Sequence, residues 1–95
     1  MKVFVTFTRK AHATAEDFQR LIEAEDKYAF ALYGGDKIRE MYSRADGQGA
    51  IAVLECDDAD HANALMAELP MVKKGLLDVE CHGALPYAGI AALGS

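Results

Sequence analysis

Apolar positions along this chain change their period, and the changes mark the elements. In KVFVTFT, Val3, Val5 and Phe7 alternate with Phe4, Thr6 and Thr8, the period-two pattern of a strand. From Ala15 to Tyr33 the period lengthens. Phe18, Leu21, Ile22, Tyr28, Ala29 and Leu32 share one helical face at about 100° per residue. Thr14 stands three residues before Asp17, an approximate capping box with an acidic first turn. GGD after Tyr33 predicts the stop, with a glycine just past the last turn.

KIREMYSRA and AIAVLEC predict two more strands, joined at the turn DGQG. DDAD opens a second helix with Asp57 or Asp58 as N-cap and HANALMAEL as its body. Pro70 is expected to end that helix or lie just beyond it. MVKKG is expected as a loop, LLDVECHG as the last strand, and residues 84–95 as a short apolar tail.

The order β-α-β-β-α-β is the split βαβ arrangement of an α+β, ferredoxin-like sandwich, and residues 1–95 are expected as one domain. Two helices cover only one face of four strands. Yet Phe4 opposes Val3, Val5 and Phe7, and Ile51 and Val53 oppose Leu54 and Cys56. Apolar residues on the uncovered face mark an interface. Two such sheets packed face to face would make a homodimer, alone or within a larger assembly of dimers.

Composition narrows the classes. Apolar residues make up 52% and charged residues 26% of 95 residues, an ordinary globular balance. A chain this short buries only about 60–65% of its unfolded surface, so association is a common remedy. The net charge of −5 is opposite to what nucleic acid selects. No apolar run approaches the roughly 20 residues of a membrane span, and MKVFVTFTRK lacks a cleavage pattern, so the cytoplasm is expected. Cys56 and Cys81 lack CxxC spacing and read as small buried hydrophobes. In a ferredoxin-like sheet the first strand separates theirs, which speaks against a disulfide within one chain. His12, His61 and His82 have no partner at ligand spacing, so no metal is expected. Nor does any phosphate or dinucleotide motif occur, so no cofactor is expected.

One position breaks the pattern of the first helix. Glu25 falls near the middle of the apolar face, while Glu23 and Lys27 fall on the far side and Asp26 at the margin. A carboxylate among apolar groups has its pKa raised by desolvation, which suits it to take and return a proton near neutral pH. The structural alternative is a Glu25 paired with Arg39 or Arg44, or hydrogen-bonded to Tyr42.

With its β-α-β-β-α-β order, the segment ANALMAELPMVKKGLLDVECHGALP and the helical IEAEDK, the chain resembles the muconolactone isomerase-like branch of the dimeric α+β barrel superfamily. The resemblance implies a cofactor-independent proton transfer within a small hydrophobic or lactone-type metabolite. Glu25 matches the family's proposed acid–base group. Gln48 and Ala50 stand where the family presents a tyrosine and an asparagine. Tyr42, Gln48 and His82 are candidate orienting groups, with Ile22 and Tyr28 as further substrate-binding candidates. Two other readings stand beside this one. One is a barrel that binds a hydrophobic metabolite, or only assembles, without catalysis. The other is a cofactor-free monooxygenase of polyketide-like aromatics.

Overall fold

In the computed structural model, which describes residues 1–94, the central strand is the first. Strand β1 (Lys2–Arg9) lies between β3 (Gly49–Glu55) and β4 (Leu77–Ala84), and β2 (Ile38–Ser43) lies beyond β3. Every neighbouring pair is antiparallel. Val5 is aligned with Ala52 on one side and Cys81 on the other. A bulge between Ile38 and Glu40 shifts β2 against β3. The Asp-Gly turn forms as expected, with Gly47 in the left-handed region at φ 72°.

Helices α1 (Ala15–Gly34) and α2 (Ala59–Met66) carry the side-chain caps read from the sequence. Thr14 and Asp17 exchange two hydrogen bonds, the Thr14 N–H donating to Asp17 Oδ2 at 2.9 Å and the Asp17 N–H donating to Thr14 Oγ1 at 3.2 Å. These bonds, the backbone one first, hold the Asp17 carboxyl below its usual range. Of the two candidates for the second cap, Asp58 serves: its Oδ1 accepts from the His61 N–H at 2.8 Å.

Two local expectations need correction. Pro70 does not lead into a loop; it opens a one-turn helix, α3 (Pro70–Lys73). Its fixed φ suits the first helical position, and the residue before it, Leu69, is extended. The tail also coils, as α4 (Ala88–Leu93), whereas its first residue Ala84 still pairs with Lys2. The last residue assigned to that tail, Ser95, lies outside the described residues. α1 does stop at GGD as expected, with Gly35 as its C-cap at an ordinary φ of −88° and Asp36, at φ 62°, making the left-handed step.

The core lies between the sheet and the helices. Val3, Val5, Phe7, Ala52 and Leu54 point into it from the strands, and Ala62, Met66 and Leu69 meet them from the α2 side. Each large side chain so buried contributes about 1.5–3 kcal/mol. The other face of the sheet is open. Phe4, Ile51 and Tyr42 are 43%, 40% and 57% exposed there. Among the described residues no helix is long and apolar enough to cross a membrane.

Candidate functional site

Glu25 is the buried residue of α1 and the buried charged residue of the described structure, only 8% exposed. Its Oε1 accepts the backbone N–H of Met71 at 2.9 Å. Met71 is the second residue of α3, and the first N–H groups of a helix have no partner within it. Glu25 thus ties α1 to the start of α3. Burial pushes its carboxyl above the ordinary value, the Met71 N–H offsets part of that, and neighbouring Asp26 adds to the rise.

The partners considered for a structural ion pair are engaged elsewhere. The Arg39 Nε donates to the Asp36 carbonyl at 2.9 Å. Arg44 donates through Nη1 to Thr8 Oγ1 at 2.8 Å and through Nη2 to Asp46 Oδ2 at 2.5 Å. The Tyr42 hydroxyl donates to Glu40 at 2.7 Å. No cation lies within ion-pair distance of Glu25 among the described residues.

Glu25 lines a cavity of about 470 Å³ between α1 and the sheet. Phe7, Phe18, Met41, Met71 and Leu77 supply its apolar wall. The β2–β3 side of the wall mixes the small residues Gly47, Gly49 and Ala50 with Met41, Ser43, Arg44 and Gln48. Gly49 is required there: a Cβ would come within 2.0 Å of the Phe7 carbonyl oxygen. Arg9, Asp26 and Arg44 complete the polar part of the wall.

Of the candidates read from the sequence, Ile22 and Gln48 join Glu25 in this cavity. The structure places Tyr42, His82 and Tyr28 elsewhere. Tyr42 is aligned with Ile51, and His82 with Phe4, so strand alternation turns both to the open face. His82 there faces Glu80 at 3.6 Å. Tyr28 packs against the core, and its hydroxyl donates to the Leu65 carbonyl at 3.0 Å. Sequence reasoning missed Arg9 and the Met71 N–H. Arg9 was findable, because it continues the inward alternation of Val3, Val5 and Phe7. The Met71 contact carried no signal, being 46 residues away in sequence. Among the described residues, no three His, Cys, Asp or Glu side chains gather as metal ligands.

These features define an α+β fold of ferredoxin-like topology, with a four-stranded antiparallel sheet in the order β2-β3-β1-β4. Two solved structures share that fold with this chain. One is 5-chloro-2-hydroxyhydroquinone dehydrochlorinase from Burkholderia phenoliruptrix AC1100 in complex with 2,5-dihydroxybenzoquinone. It superposes with a TM-score of 0.73 at 14% identity, over 94% of this chain and 98% of that one. The other is muconolactone isomerase, with a TM-score of 0.73 at 17% identity, over 92% of this chain and 91% of that one. At such identities the likeness is one of fold. No protein-family model matches the sequence. No curated protein matches it either.

Proposed function

We propose that this protein is an enzyme that moves a proton within a small apolar or lactone-type molecule, with Glu25 as the acid–base group. The observation that carries this reading is a buried carboxylate with no cation within ion-pair distance among the described residues, facing a largely apolar cavity. Such a carboxylate is a stronger base than one in water. It would take a proton from a carbon next to a carbonyl, leaving the C–H electron pair in an enolate. Returning the proton to another carbon completes an isomerisation; loss of a leaving group from the enolate instead completes an elimination. The two structural neighbours are named for one reaction of each kind, which supports the reading.

The test is solvent exchange. Muconolactone, 5-chloro-2-hydroxyhydroquinone and a panel of simple butenolides would be incubated in deuterium oxide and followed by proton NMR. Wild-type protein is expected to catalyse exchange or conversion of at least one. Glu25→Gln should slow it by about 10²–10⁴-fold, the usual weight of a general base. Turnover unaffected by Glu25→Gln would remove Glu25 from the mechanism.

The same protein is proposed to act as a homodimer through the open face of the sheet. Phe4, Ile51 and Tyr42 form an apolar ridge there, and Lys2, Glu40, Glu55 and Glu80 surround it. An apolar centre with a charged rim is the anatomy of an interface. Light scattering after size exclusion should find no species near the 10.3 kDa of one chain. A monomer at micromolar concentration would refute the assembly.

A further inference from the structure

Among the charged groups that line the cavity, Arg9 is the cation without a carboxylate. Arg44 is neutralised by Asp46. Among the described residues Arg9 makes no ion pair, and its side chain donates one hydrogen bond, from Nη2 to the Ala13 carbonyl at 2.9 Å. Its guanidinium lies over the Phe18 ring, 5.2 Å from the centroid. Stacking on Phe18 and the bond to Ala13 hold the group in place. A guanidinium has five N–H donors, so most of its fork stays available. Strand β1 ends at Arg9, and its inward alternation aims the side chain into the space that Glu25 shares.

We propose that Arg9 is a ligand-binding residue that reads a carboxylate or phenolate on the molecule the cavity takes. The ligand is then a small organic anion with an apolar body. Its charged end lies on Arg9, and its body lies against Phe18, Ile22 and Met41. Asp26 at the exposed margin disfavours a second negative charge at that side, so the anion is singly charged there. The proposal deepens the acid–base reading and rests on the same cavity. Glu25 and Arg9 then divide the work, one exchanging a proton and the other fixing the substrate's orientation.

Benzoate and its neutral counterpart benzamide serve as probes, titrated into the full-length protein and followed by amide NMR. Wild-type protein should bind benzoate roughly tenfold or more tightly than benzamide, the usual gain from a charge-assisted pair. Arg9→Gln should bring the two within about twofold, leaving benzamide as it was. Arg9→Lys should keep part of the preference, since a point charge replaces a fork. If Arg9→Gln does not fold, Arg9→Lys carries the test through the benzoate-to-benzamide ratio. A preference that survives these changes overturns the proposal, as does a wild-type protein that binds neither probe or binds both alike. Glu25→Gln separates the two readings. A benzoate preference intact in Glu25→Gln, alongside unchanged solvent exchange, would sink the acid–base role and leave Arg9 standing. Loss of exchange in Glu25→Gln without a benzoate preference in wild type would do the reverse.

Discussion

The two long helices cover the same face of one sheet, and they use it differently. α2 presents Ala62 and Met66, exposed 0% and 1%, and the turn after it adds Leu69. That side is filled with apolar groups. α1 is more than twice as long, yet its buried residue is Glu25, and its Phe18 and Ile22 face a cavity instead of a packed wall. The α2 side thus supplies fully buried packing, whereas α1 packs on the core only through the partly buried Tyr28, Ala29 and Leu32 and, beside them, holds open a space with a carboxylate in it. A small domain has a thin margin of stability. Concentrating the packing under α2 lets the α1 side carry a desolvated charge and an unfilled volume.

The largest test of this division is a pair of truncations. Met66→Ala removes a fully buried side chain and should cost about 2–5 kcal/mol in chemical denaturation. Ile22→Ala shortens a side chain that is 43% exposed. Its cost should stay below about 1 kcal/mol. Equal losses at the two sites would mean that the α1 side is packed as tightly as the α2 side, and the cavity would lose its meaning.

The beginnings of the helices, in contrast, should behave alike. Thr14 caps α1 and Asp58 caps α2 through the same kind of side-chain bond to a backbone N–H. Thr14→Ala and Asp58→Ala should each cost about 0.5–2 kcal/mol in the same denaturation series. Similar values would place the asymmetry in the middles of the helices. A cap on α1 worth several times that on α2 would place it at their ends.

How much of this could be read in advance follows from the range of each interaction. The caps and the Asp-Gly turn are local and were legible residue by residue. The period of the strands gave the β-α-β-β-α-β order, and the period of α1 placed Glu25 among apolar neighbours. Tyr42 and His82 show the limit. Each lies on a strand, but which face it takes depends on the register against β3 and β1, which no single strand reveals. Pro70 shows another. A proline is both a helix stop and a favoured helix start, and only the extended Leu69 before it decides in favour of the start. The tie between Glu25 and the Met71 N–H is out of reach of any local pattern. The partner is not a side chain but a backbone group, made available by a helix start at Pro70 within a stretch that reads locally as a loop.

The finest test reads a sign. The Glu25 carboxyl is raised above its ordinary value of 4.5, mainly by burial, and the folded state therefore binds that proton more tightly than the unfolded state does. Where the folded state holds more protons, stability falls as pH rises. The strain of the ionised form is thus absent below about 4.5, grows as pH rises through the raised folded-state pKa, and is fully present above it. Glu25→Gln removes that charge, while the amide oxygen can still accept the Met71 N–H. In paired thermal melts the variant should match or exceed wild type at pH 7, and the gap should close as pH falls toward 4.5. The difference between the two proteins isolates this group, because every other carboxylate titrates in both. A variant that melts lower at pH 7, by a margin that widens with pH, would mean that the ionised carboxylate stabilises the fold. Glu25 would then resemble the packing residues under α2, and the contrast between the two halves would fail at its central residue.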